Sequence, residues 1–199
     1  MTKASDELIV TPTAQDLAAS VQAASRKGPP PVHLWNPPFC GDIDMRIRRD
    51  GVWFHEGTPI GRPGLVKLFS SILKREGERY FLVTPVEKVG IVVEDAPMLA
   101  VDFTVTGENH TQTLTFTTLT DDIATAGPGH PLRITRHPET GEPSPYILIR
   151  ANLEALIDRK SFYRLIDLGT QSLHEGVQWF GLWSGGTFFP VIPADELPT

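Results

Sequence analysis

Arg46, Arg48, Trp53 and His55 fall within ten residues of one another, in the run 41–62, GDIDMRIRRDGVWFHEGTPIGR. No other stretch of the chain gathers side chains so well suited to binding. Guanidinium groups clamp phosphate or carboxylate through paired hydrogen bonds, and an indole offers a flat face on which a base can stack. An imidazole adds a charge that changes near neutral pH. Together these suit an anionic ligand, in particular a nucleotide.

Placing them on one surface requires a hairpin. Ile43, Met45 and Ile47 alternate with Asp44, Arg46 and Arg48, the period of a half-buried strand, and Asp50-Gly51 predicts a two-residue type I′ turn into an aromatic strand. That register sets Arg48 opposite Trp53 and Arg46 opposite His55. Asp44, Arg46, Arg48, Trp53 and His55 would then share one face, with Ile43, Met45, Ile47, Val52 and Phe54 on the other. Arg62 stands just before a helix start at Pro63, where free N–H groups favour an anion. Arg133 occupies a second x-Arg-Ile-x-Arg run, LRITR, later in the chain. The competing reading is a solvated sheet face, its arginine stems covering Trp53 and Asp44 balancing the charge.

Catalytic templates find no match. There is no Gly-x-Ser-x-Gly elbow, no phosphate loop and no dinucleotide fingerprint, and Ser184 in Trp-Ser-Gly-Gly reads as part of a turn. The six histidines show no His-x-His or i, i+4 spacing, so neither a metal nor a cofactor is expected. Cys40 would need His33 or His55 as a base to act as a nucleophile; a structural thiol is the simpler reading. A small hydrolase or isomerase using Cys40 or His55 is therefore the weakest of the functional readings.

The formal net charge of −6 argues against a footprint for duplex nucleic acid. Residues 41–79 carry eight basic against six acidic side chains, so the positive charge is concentrated where the arginines are. A single cysteine excludes an intramolecular disulfide and fits a reducing compartment. The N-terminus, MTKASDELIVTPTAQD, has no long apolar segment, and no run of about 18 apolar residues occurs anywhere. A cytoplasmic protein without a membrane span is expected.

Three segments organise the chain: an N-terminal helix and proline-rich linker over 1–31, an α+β domain over 32–85, and a β-rich domain with a helix and an aromatic tail over 86–199. The first helix is expected over 14–26, with Thr13 as its cap and Pro29-Pro30-Pro31 beyond its end. Leu65, Leu68, Phe69, Ile72 and Leu73 form an amphipathic stripe for a second helix that Gly77 ends. Strands follow over 80–84, 89–94, 98–106, 111–118, 132–136 and 146–149. A third helix is expected from an Asn152 cap through Leu153, Leu156, Ile157, Leu165 and Ile166. Finally, Gly185-Gly186 predicts a turn that pairs Trp183 with Phe188 and Leu182 with Phe189, leaving both faces of that hairpin apolar. Such a hairpin must be covered, by the rest of the chain or by a second copy in a homodimer.

A repeat underlies this order. MRIRRDG with its following strand and helix has the same grammar as LRITRHPETGEPSPYILIRANLEALIDRKSFYRLI, with Arg46, Ile47 and Arg49 matching Arg133, Ile134 and Arg136. Duplication of a strand–strand–helix unit is expected, one copy in each half, giving an α+β fold.

The runs CGDIDMRIRRDGVWFHEGTPIGR, LVKLFSSIL, YFLVTPVEKVGIVVEDAP and WFGLWSGG resemble the bacterial domain-of-unknown-function family 1285 over roughly residues 30–190. The resemblance implies a duplicated α+β core, a second half that is pleckstrin-homology-like, and no assigned activity or catalytic residue. A nucleotide-type ligand between the halves and a role in signal transduction are suggestions attached to that family. The combined expectation is a non-enzymatic sensor holding an anionic ligand with Arg46, Arg48, Trp53, His55, Arg62 and Arg133. A protein-interaction module without a small-molecule ligand is the alternative.

Overall fold

The computed structural model describes residues 18–19 and 29–197. The helix expected over 14–26 lies, but for residues 18 and 19, outside them. Strands β1 (Phe39–Ile47) and β2 (Trp53–His55) form the expected hairpin, one residue out of the expected register. Ile47 stands opposite Trp53, Arg46 opposite Phe54, and Met45 opposite His55. The cause is the loop. The Arg48 N–H donates to Val52 O at 3.0 Å, so the turn holds three residues, Arg49, Asp50 and Gly51, with Gly51 at φ 79°. Three-residue hairpin loops end on a left-handed residue, which glycine supplies without strain. One step of register exchanges the faces. Trp53 consequently joins Met45 and Ile47 in the core, 2% exposed and stacked on Phe69 with ring centroids 6.3 Å apart.

The chain continues through β3 (Thr58–Pro59), α1 (Pro63–Ser71), β4 (Leu73–Glu76), β5 (Arg79–Val83) and β6 (Lys88–Val93). Helix α1 stops at Ser71, short of the expected end. Leu73 opens a strand instead, pairing with Leu82 while Glu76 pairs with Arg79 around Gly77. Ile72 and Leu73 are buried in either conformation, which is why their spacing reads equally well as helix. The resulting sheet has the order β3-β2-β1-β6-β5-β4, its middle pair β1 and β6 running parallel. Because β6 belongs to it, the first compact unit extends to Glu94, beyond the Thr84-Pro85 break at which the sequence suggested a boundary.

The second unit comprises Arg49–Gly51 and the chain from Asp95 onward. It contains β7 (Met98–Thr106), β8 (Thr113–Thr118), β9 (Ile123–Thr125), β10 (Leu132–Arg136), β11 (Pro143–Arg150), β12 (Leu153–Ile157) and α2 (Arg159–Ile166). The sheet order is β10-β11-β12-β7-β8-β9, with β12 and β7 parallel. Helix α2 is shorter than expected because Leu153–Ile157 is a strand. It lies between β11 and β7, and a strand flanked on both sides carries a nearly continuous apolar run. The helix is capped not by Asn152 but by Asp158, whose carboxylate accepts the Ser161 N–H at 2.8 Å.

Both six-stranded sheets follow one plan. In each, two three-stranded meanders are joined where the first strand of the run lies parallel to the last: β1 to β6, and β7 to β12. The duplication is thus a repeat of six strands, and it aligns β1 with β7 and β4 with β10. The strand–strand–helix correspondence of Arg46 with Arg133 is a different alignment, and the sheet order does not follow it: β1 opens a first meander, β10 a second. The helix also moves, lying between the meanders in the first unit and after them in the second. Two halves, each built on a sheet, make a β-dominated α+β chain.

A third sheet, β13 (Thr170–His174), β14 (Val177–Ser184) and β15 (Thr187–Pro193), completes the second unit. Its last hairpin has the expected register, Trp183 opposite Phe188 and Leu182 opposite Phe189. Ser184 fastens it to the second sheet: its buried hydroxyl donates to Ala126 O at 2.7 Å and accepts the Leu114 N–H at 2.9 Å.

Candidate functional site

The six residues singled out in the sequence divide by face and by unit. Arg46 and Arg48 project from the polar face of the first sheet beside Phe54, over which the Arg48 guanidinium lies at 5.6 Å. Arg46 pairs with Glu94 at 3.3 Å. Trp53 and His55 stand on the opposite face with Met45 and Ile47. Trp53 is core, so it offers no stacking surface to a ligand beside those arginines. Arg62 is exposed at the start of α1. Arg133, on β10 of the second unit, holds Glu154 through two hydrogen bonds of 2.9 and 2.8 Å and lies 4.3 Å from the Tyr146 ring centre. The Glu154 carboxylate raises its already high pKa. Tyr146 in turn donates to Asp95 at 2.8 Å, and Arg49 pairs with Asp95 at 3.3 Å. Burial, then the bond to Asp95, pushes the Tyr146 phenol above its usual range. This chain of charges ties strands together; its guanidinium groups already have carboxylate partners.

A concavity lies elsewhere in the second unit. A cleft of about 340 Å³ is walled by the β7–β8 connection, by the link from α2 to β13, and by Trp183 of β14. At the first wall the chain turns sharply through Gly107 at φ 74°, where an added Cβ would lie 2.7 Å from Thr111 O. That turn sets Glu108 and Asn109 on the rim. Gln112 lies deeper and is only 5% exposed; its amide nitrogen donates to Trp183 O at 2.7 Å, and its backbone carbonyl accepts the Gly185 N–H at 3.1 Å. Asp167 and Thr170 supply the second wall. The His110 ring meets the Trp183 indole edge-on, centroids 4.6 Å apart.

Two buried polar atoms beside this cleft have no protein partner among the described residues. Trp183 Nε1 and Thr170 Oγ1 are buried and unbonded. Gln112 Oε1 is left over once its amide nitrogen is committed to Trp183, and it is not sealed off as those two atoms are. Buried polar groups in folded proteins are nearly always satisfied by protein or by water, and here two lie side by side with an accessible amide oxygen. The sequence assigned these residues no common site because they come from three distant segments: Gln112 from a strand expected over 111–118, Thr170 from beyond a helix end, and Trp183 from the terminal hairpin. One signal was available. Asp167 caps the C-terminus of α2, where the helix dipole disfavours an acid.

Two family models divide the chain between them. The DUF1285 N-terminal domain, a domain of unknown function, matches residues 30–96, and the DUF1285 C-terminal domain matches residues 97–191. The chain belongs to the DUF1285 family. A crystal structure of a DUF1285 family protein from Silicibacter pomeroyi DSS-3 is 63% identical, covering 90% of this chain and 96% of its own, with a TM-score of 0.82. A DUF1285 family protein from Shewanella baltica OS155 is 30% identical over 62% of this chain and 90% of its own, with a TM-score of 0.49. No curated protein matches. Among the described residues of this DUF1285 protein, no helix is long and apolar enough to cross a membrane.

Proposed function

We propose that this DUF1285 protein is a non-enzymatic binding module, a sensor whose small-molecule ligand sits in the Glu108–Trp183 cleft of the second unit. The observation that carries this reading is Gln112: a side chain almost wholly buried, held at its amide nitrogen, with its amide oxygen unmatched in a cleft of ligand size. Small-molecule sites of about 300–1,000 Å³ with a few fixed polar groups are the common pattern. The pleckstrin-like description of the second unit draws support from its two meanders followed by a helix.

The test is a ligand screen followed by thermal shift, because a ligand that binds only the folded state must raise the melting temperature. Glu108→Trp, at an exposed position with extended backbone, should fill the cleft without unfolding the protein and abolish the shift. Hits that survive Glu108→Trp unchanged place the ligand elsewhere.

A second reading keeps the anionic ligand of the arginine region, and one observation favours it. The first turn of α1 has no acidic residue and no side-chain cap, and Arg62 precedes it. Phosphate or AMP binding that is lost in Arg62→Ala and retained in Glu108→Trp would favour this second site.

A further inference from the structure

The charged side chains that line the cleft are of one sign. Glu108 and Asp167 contribute carboxylates, and neither forms an ion pair among the described residues. Gln112 contributes an amide oxygen. No lysine or arginine lines the cleft. The nearest cation on α2, Arg164, is spent elsewhere: it bonds Asp102 at 2.6 Å and Phe103 O at 3.2 Å, with its guanidinium 4.5 Å from the Phe103 ring centre. The negative end of the α2 dipole adds to the charge of Asp167 rather than opposing it. Trp183, packed against His110, also lines the cleft with Val105 and Leu168, and an indole π-system attracts cations.

We propose that the cleft receives an organic cation with N–H groups, an amine or guanidinium, held between the Glu108 and Asp167 carboxylates against the Trp183 indole, with an N–H donated to Gln112 Oε1. This rests on the cleft being the binding site, and it names the ligand class. A phosphate or nucleotide would meet two carboxylates and no cation, so anions are selected against there by like charge.

Calorimetric titration of the full chain with agmatine, choline, adenosine, AMP and inorganic phosphate, at low and moderate salt, tests it. Saturable one-to-one binding of agmatine is expected, with choline, which has no N–H to donate to Gln112 Oε1, binding more weakly. It should weaken by about tenfold or more in Glu108→Gln/Asp167→Asn, since bonds to charged acceptors are the stronger ones. Both substitutions are at exposed positions, and an unchanged melting temperature shows that the fold is kept. Agmatine binding that is undiminished in this double variant overturns the inference. Adenosine or AMP binding that Glu108→Trp blocks, with no cation bound, overturns the inference and upholds the cleft. No binding that Glu108→Trp abolishes, from any of the five probes, counts against the cation and, with the screen above also empty, against the cleft itself.

Discussion

Trp53 and Arg48 differ by five positions and by everything that matters energetically. Trp53 is packed on Phe69 in the first core, whereas Arg48 lies over Phe54 on the polar face. Trp53→Ala should cost about 3–5 kcal/mol in urea unfolding, as large-to-small core changes do. Arg48→Ala should cost under about 1 kcal/mol, the scale of an exposed cation–π pair. Equal costs would mean that the hairpin register is not the one described. Glu76 makes a pH-dependent contribution. The Lys88 ammonium, bonded at 3.0 Å, and then Lys74 hold its carboxyl below its ordinary value of 4.5, against the opposing effect of burial. With the folded value depressed, the stabilisation is complete above that ordinary value and fades as pH falls through the folded one. Thermal melts from pH 6 down to pH 3 should show a loss of stability in the wild type that is smaller in Glu76→Gln. At this scale the sequence conveyed which side chains could bind but not which way they face. The faces depended on one extra residue in the turn, and Asp-Gly is compatible with both loop lengths.

Elements were legible wherever alternation was long and bounded by turn residues. Strands β7 and β10 and the Gly185-Gly186 hairpin stand where the residue pattern put them. The two helices were over-extended for one physical reason. Apolar residues at i, i+3 and i+4 that continue into a buried strand look helical until the strand's partners are known. Two of those partners, β5 for Leu73–Glu76 and β11 for Leu153–Ile157, lie next in the chain across the two-residue turns Gly77-Glu78 and Ala151-Asn152, whereas β7 is remote. The true start of α2 is testable. Asp158→Ala removes the cap and should cost about 1 kcal/mol, while Asn152→Ala should leave the N-terminal amides of α2 unaffected in hydrogen exchange. Ser184→Ala leaves the Leu114 N–H without its buried partner and should cost about 1–3 kcal/mol in chemical denaturation. A change within about 0.5 kcal/mol, the range of ordinary surface substitutions, would show that the third sheet is held by its aromatic residues alone.

For the molecule as a whole, the duplication was visible but its alignment was not. Short x-Arg-Ile-x-Arg strands resemble one another by composition, while the real correspondence is one of strand order, carried by hydrogen bonds between remote segments. The cleft was invisible for the same reason: Gln112, Asp167 and Trp183 are brought together only by the completed second unit. Native-state hydrogen exchange should report the shared plan directly. Amides of β1, β6, β7 and β12 should exchange slowest in their sheets, and those of the outer strands β3, β4, β9 and β10 fastest. Central strands that exchanged as fast as outer ones would break the sheet order.

Joining the first strand of each six to the last has a further consequence, for synthesis. A nascent chain can form each meander as soon as it emerges, but neither sheet closes until its sixth strand has left the ribosome. Until then β1, and later β7, offers an unpaired edge able to recruit other chains. The two stretches of translation just before Lys88 and Leu153 are therefore where this protein is most exposed to aggregation, and where a chaperone or a slowed codon run would help it most.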